Sequence, residues 1–131
     1  MLGILNISEG STIGLHAAVF LAKTKGEPVT TKGAAEAMKV SAAHLSKILQ
    51  RLTKAGLVQA VRGPKGGYLL GRPLSEIRLL DVFEAIEGPI KLKNCLMRHP
   101  RCGRDGCMLG SMLEEINKTV IRHFKRKLSQ L

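Results

Sequence analysis

The chain has no tryptophan, one tyrosine and three phenylalanines. So few flat side chains exclude a platform on which unpaired bases stack, the usual device of proteins that hold single strands or RNA loops. It also has no apolar run of the roughly 18 residues that a membrane-spanning helix needs. Its basic residues are not gathered opposite one bulky apolar face, which argues against a membrane surface as partner. Acidic residues are scarce: 10 Asp and Glu stand against 21 Lys and Arg, a formal charge of +11. By charge the partner is a polyanion, and with stacking platforms excluded, double-stranded DNA fits best.

Cysteines number three, an odd count confined to residues 95–107, which does not resemble a secreted disulfide framework. The start MLGILNISEG lacks the pattern of an export signal, so a cytoplasmic protein is expected. The four histidines, His16, His44, His99 and His123, are scattered, and no nucleophile has a base and orienting acid near it in sequence. An enzyme is not expected. With 131 residues and 44% apolar content the chain supports one compact core with appendages.

The most informative stretch is SAAHLSKILQRLTKAGLVQAVRGPKGGYLLGR, residues 41–72. Leu45, Ile48, Leu49 and Leu52 follow the spacing of one buried helix face, which turns Ala43, Lys47, Gln50, Arg51 and Lys54 outward. Small residues let such a helix enter a major groove, Lys and Arg neutralise phosphates, and Gln or Lys reaches base edges. An ordinary solvated helix has the same pattern. The segment that follows favours DNA: Gly56 suits a left-handed helix end, and the short apolar runs 57–61 and 68–70 flank Arg62-Gly-Pro-Lys-Gly-Gly67. This predicts a two-stranded wing whose tip carries Arg62 and Lys65 with almost no side-chain bulk. A nucleotide-phosphate loop is excluded, because the Gly-Lys-Ser/Thr ending and a following helix are absent.

Upstream, residues from about 7 to 25 predict a helix apolar on nearly every face, one that its own domain covers on one side and a partner subunit on the other. The turn Gly26-Glu27-Pro28 ends it, and Thr30 or Thr31 caps a short helix to Met38. Ser41 is the expected N-cap of the reading helix, and Lys39 occupies a tight turn where glycine is common. Downstream, Leu80, Val82, Phe83 and Ile86 predict a helix ending before Gly88-Pro89, with Asp81, Glu84 and Glu87 taken as a solvated face. Leu109, Leu113, Ile116, Val120, Phe124 and Leu128 form a narrow stripe, the seam expected of a long C-terminal dimerisation helix with no remaining domain to pack on.

The expected fold is mainly α with a small two-stranded β wing: a winged helix-turn-helix over residues 1–88, a cysteine-containing sensor loop over 89–107, and the dimerisation helix over 108–131. In the loop, Cys95, Cys102 and Cys107 are soft ligands for a soft metal centre, and Arg98, Arg101 and Arg104 favour their thiolates. Zinc on Cys95, His99, Cys102 and Cys107 is one alternative, and metal-free redox-active thiols are another.

The wing VRGPKGGYLLGRP, the LxxLxKAGLV pattern before it, LLDVFEAIEG after it, and the three-cysteine loop ahead of a final helix resemble the Rrf-two family of bacterial transcription regulators, in particular its iron-sulfur, IscR/NsrR-like branch. The resemblance covers nearly the whole chain. It implies a homodimer that binds a DNA operator and carries a [2Fe-2S] or [4Fe-4S] iron-sulfur cluster on the three cysteines. By the same resemblance Ser41, Ala43, His44, Ser46 and Lys47 match the DNA-reading helix, and Arg62 matches a wing arginine that enters the minor groove. The chain departs from the family at the fourth ligand. One branch has a histidine where Gly110 stands here, and another has an acidic residue from the partner's first helix where Thr12 stands. Glu9, one helical turn earlier, and His99 are the candidates in their place. The sequence therefore predicts a transcription regulator controlled by a cluster. The same scaffold acting as a zinc or thiol regulator is the first alternative, and a cluster-carrying redox protein the second.

Overall fold

The computed structural model describes residues 7–92 and 107–131. Helix α1, Glu9–Ala22, begins where the Ser8 hydroxyl accepts the Ser11 N–H. It is shorter than the apolar run suggests, because Lys25 and Gly26 both take positive φ and turn the chain away. Helix α2, Thr31–Met38, is capped by Thr30, whose hydroxyl accepts the Gly33 N–H at 3.0 Å. Lys39 then adopts the left-handed conformation, φ 58° and ψ 45°, as the tight turn requires. Helix α3, Ala42–Lys54, follows two residues later with Ser41 as its N-cap. Gly56, at φ +79°, releases the chain into the wing.

The wing pairs β1, Val58–Val61, antiparallel with β2, Gly67–Leu70, in the register Val58 to Leu70 and Val61 to Gly67. Val29, in the α1–α2 connection, adds a bridge to the outer side of β2: it exchanges two backbone hydrogen bonds of 2.8 Å with Tyr68. That close approach explains Gly67, whose place a Cβ could take only at 2.4 Å from the Val29 carbonyl oxygen. A short 3-10 turn, Leu74–Glu76, leads to α4, Leu79–Glu87, and the chain ends in α5, Gly110–Phe124, followed by a second 3-10 turn, Leu128–Gln130.

The core gathers Ile13, Ala17, Ala18 and Leu21 of α1 with the four predicted α3 residues, all of them buried. Leu57, Val58, Ile77 and Val82 close it. Burial of this kind supplies about 1.5–3 kcal/mol for each large apolar side chain.

One expectation needs correction and another an addition. The C-terminal seam is not continuous: α5 stops at Phe124, and Leu128 folds back into the core, its N–H donating to the Ile77 carbonyl at 2.8 Å. Arg78 and Lys127 form a bridge beside it, and Phe83 and Phe124 pack with ring centroids 5.2 Å apart. So this helix does have a domain to pack on. Ile116 and Val120 stay half-exposed, and Met112 is exposed.

The acidic residues of α4 stay open to solvent in part, Glu87 being exposed, but each carboxylate also has a fixed partner. Asp81 forms an ion pair with Arg78 at 2.8 Å and accepts the Arg78 backbone N–H, which caps the helix. Glu84 accepts the Ile90 N–H at 3.0 Å, and Glu87 accepts the Ser11 hydroxyl at 2.6 Å. Periodicity shows which side of a helix is polar, but the partners of those carboxylates come from segments distant in sequence or beyond the helix end.

Candidate nucleic-acid interface

Helix α3 has its leucines in the core, so its opposite side faces solvent by geometry alone. Ser41, Ala43 and Lys47 are exposed there, with Gln50 and Lys54 continuing the stripe toward the helix end, while His44 and Ser46 are half-buried at its margin. Ser41 is committed to the backbone, its hydroxyl accepting the His44 N–H at 3.3 Å. Gln50 donates to the Ser46 hydroxyl at 3.4 Å, which orients its amide along the helix. No acidic residue interrupts α3. The first turn presents small side chains, as close approach to base edges demands.

At the wing tip Arg62 and Lys65 are both exposed. The tip closes tightly: Gly66 donates to the Gly63 carbonyl at 2.9 Å, and a Cβ on Gly66 would stand 2.2 Å from the Val61 carbonyl oxygen. The wing therefore keeps its slim profile by necessity, and its two cations extend from it without competing bulk.

Arg51 behaves differently from its neighbours. Its guanidinium reaches back to α4 and donates to the Ile86 carbonyl at 3.3 Å. The adjoining Glu87 carboxylate is hydrogen-bonded by Ser11, which is fully buried, and by Ser8. These hydrogen bonds, with a smaller contribution from the Arg51 charge, hold the Glu87 carboxyl below its ordinary range. Sequence reasoning missed this cluster, and no local signal announced it, since Ser8, Ser11, Arg51 and Glu87 lie on three different elements.

A second surface lies on α1. Glu9, Thr12, His16, Val19 and Phe20 line an open groove of about 750 Å³ that continues to Leu79 and Leu131. Glu9 is exposed in the first turn, and the His16 ring shares a hydrogen bond with the Thr12 carbonyl at 2.8 Å. Of the predicted sulfur ligands, Cys107 is exposed just ahead of α5 and has no disulfide partner among the described residues. Cys95, His99 and Cys102 lie outside the described residues. Among the described residues no three His, Cys, Asp or Glu side chains converge as a metal site, and no helix is long and apolar enough to cross a membrane.

Comparison with known proteins agrees with this architecture. The family model Rrf2, described as an iron-dependent transcriptional regulator, matches residues 7–130. The HTH-type transcriptional regulator IscR of Photorhabdus laumondii is 33% identical over 93 residues, covering 71% of this chain and 57% of that protein. The IscR of Xenorhabdus nematophila is 31% identical over the same shares. The chain thus spans little more than half the length of these curated relatives. Among solved structures, CymR, the global cysteine regulator of B. subtilis, superposes with a TM-score of 0.78 at 28% identity, covering 97% of this chain and 95% of that one. T. potens IscR gives 0.72 at 26% identity, covering 96% and 85%. A winged helix-turn-helix with exposed cations on α3 and the wing, matched along nearly its whole length, places the chain in the Rrf2 family of transcriptional regulators.

Proposed function

We propose that the chain is a homodimeric, operator-binding regulator whose affinity for double-stranded DNA depends on the state of Cys95, Cys102 and Cys107. The observation that carries the reading is the exposed small and basic face of α3 beside a glycine-tipped wing bearing Arg62 and Lys65. In this reading Ala43, His44, Ser46 and Lys47 face base edges, with Ser41 at the helix start beside the backbone. Arg62 enters the minor groove, and Lys65 neutralises phosphate. Half-exposed Ile116 and Val120 of α5, with the groove on α1, form the subunit contact.

The donor set suits a soft centre. Three thiols lie within residues 95–107 with arginines between them, and the one described thiol, Cys107, is accessible. An iron-sulfur cluster held there supplies a redox-labile centre when bound. The residues of this chain anchor it, with Glu9 of a partner subunit or His99 as fourth ligand. Zinc on Cys95, His99, Cys102 and Cys107 is the second reading, favoured by the position of His99 between two of the cysteines. Anaerobic purification followed by iron, sulfide and zinc analysis separates the two, and selection of bound duplexes from a random pool tests operator recognition. Brown protein containing iron and sulfide supports the cluster. Stoichiometric zinc supports the second reading, and failure to enrich any duplex overturns the function.

A further inference from the structure

Leu45 and Leu52, both wholly buried, fix the inward direction of α3. At about 100° per residue, Ala43, Lys47, Gln50 and Lys54 fall on one line opposite to them, and all four are exposed. Their chemistry differs. Ala43 offers a methyl group, and Lys47 and Lys54 offer only N–H donors. Gln50 alone on this line both donates and accepts. A carboxamide sets an acceptor beside a donor, which is the complement of the N6 donor and N7 acceptor that adenine shows in the major groove. The Gln50 amide is also supported from within the helix: its nitrogen donates to the Ser46 hydroxyl, one turn earlier, at 3.4 Å. An amide nitrogen has two hydrogens, so the second remains beside the carbonyl oxygen. Ser46 is half-buried at the margin of α3, a firmer support than another long exposed side chain would be.

We propose that Gln50 is a specificity-determining residue that reads an adenine in the major groove of each half-site, with Ser46 as the residue that positions its amide. The proposal rests on the DNA-binding reading above and adds a base identity to it. The Gln50 carbonyl oxygen accepts the adenine N6–H, and the free amide N–H donates to N7. Guanine at the same place presents two acceptors, O6 and N7, so the same amide would set its oxygen against another oxygen. An acceptor left unpaired in a closed interface is costly, and rejection of guanine therefore adds to attraction for adenine. Along the axis Gln50 stands about 4.5 Å beyond Lys47, against roughly 3.4 Å between stacked base pairs, so the two residues face pairs one or two steps apart. Helix-turn-helix variants read bases with side chains spread over more than one turn of the reading helix, as this assignment requires.

The test selects duplexes from a random pool with the full chain, then titrates the enriched duplex and its single-base variants. The wild type is expected to enrich an adenine at one position of each half-site. Replacing that A·T pair by G·C should weaken binding by about fivefold or more. Replacing the adenine by 7-deazaadenine, which lacks only the N7 acceptor, should weaken it by about twofold or more. Gln50→Ala is expected to bring both ratios close to one while the rest of the motif and the melting temperature are kept. Ser46→Ala should lower the adenine preference at that same position, and Ser46→Thr, which keeps the hydroxyl, should restore it. Enrichment of the same adenine by Gln50→Ala overturns the assignment. So does equal weakening of every duplex by that variant, which would make Gln50 a backbone contact. A Ser46→Ala effect confined to a different base pair overturns the positioning role. A wild type that enriches no motif instead removes the DNA-binding reading and the assignment with it, so the two failures are told apart by which protein shows them.

Discussion

Gly14 of α1 and Ile86 of α4 occupy each other's space so closely that a Cβ on the glycine would stand 2.1 Å from the isoleucine Cδ1. Relief needs only the Ile86 δ-methyl, the far end of a half-buried side chain, to rotate aside. Gly14→Ala is expected to destabilise the fold by no more than about 1 kcal/mol, since the rotamer cost at Ile86 is largely offset by the better helix propensity of alanine, and Gly14→Ala/Ile86→Val to relieve the rotamer cost. Chemical denaturation of the two variants measures both. A stabilised Gly14→Ala would show that the three-helix junction has slack.

Lys39 gives the opposite sign. Its left-handed backbone costs roughly 1–2 kcal/mol for a residue with a side chain, part of which glycine returns through a more flexible unfolded state. Lys39→Gly should therefore raise stability by about 0.5–1 kcal/mol, read as a higher denaturation midpoint with an unchanged slope.

On the DNA side, Arg62→Ala should weaken duplex binding by about 1–3 kcal/mol if the arginine makes a specific groove contact, and Lys65→Ala should weaken all sequences alike with a shallower salt dependence. Titrations at two salt concentrations distinguish them. Unchanged operator affinity in Arg62→Ala would remove the wing from the reading surface.

The subunit contact is tested at Ile116 and Val120, which α5 leaves half-exposed. Ile116→Asp or Val120→Asp places a carboxylate in the proposed interface at a cost of several kcal/mol. Sedimentation should show the shift toward monomer. The folded monomer should persist, because Leu113, Phe124 and Leu128 still hold the tail on the domain.

Acid should loosen the ends of α4. Hydrogen bonding and charge from Arg78 depress the Asp81 carboxyl, and hydrogen bonds from Ser11 and Ser8 depress that of Glu87. A carboxylate whose folded pKa lies below its unfolded value stabilises the fold fully above the unfolded value, near 4, and loses that contribution as pH falls through the folded one. Asp81→Asn and Glu87→Gln should each flatten the stability profile below about pH 4 and leave its shape at neutral pH unaltered. Both pairs are partly open to solvent, so the effects are small.

Much of this protein is written in residues that lie near one another in the chain. Hydroxyls at Thr30 and Ser41, the tight turn at Lys39, the left-handed Gly56 and the glycines of the wing act over four or five residues, so their consequences are legible from sequence. The four buried residues of α3 follow from one helical period, and that period also turns Lys47 outward. Tertiary structure decided what local rules cannot carry. Leu128 has the spacing of a helical seam, yet the chain leaves the helix at Phe124 because the Ile77 carbonyl and the core offer that leucine more than one further turn of exposed helix would. Val29 joins the wing only because β2 is already present beside it. Arg51 reads as a phosphate contact from its exposed place on α3, and only the fold shows that its guanidinium also reaches the Ile86 carbonyl, 35 residues away in sequence. Glu87 reads as surface charge and stays exposed, yet its carboxylate also accepts hydrogen bonds from Ser11 and Ser8. Hydrogen bonds and close packing between distant segments depend on where the whole chain has been brought, and no window along the sequence contains both partners.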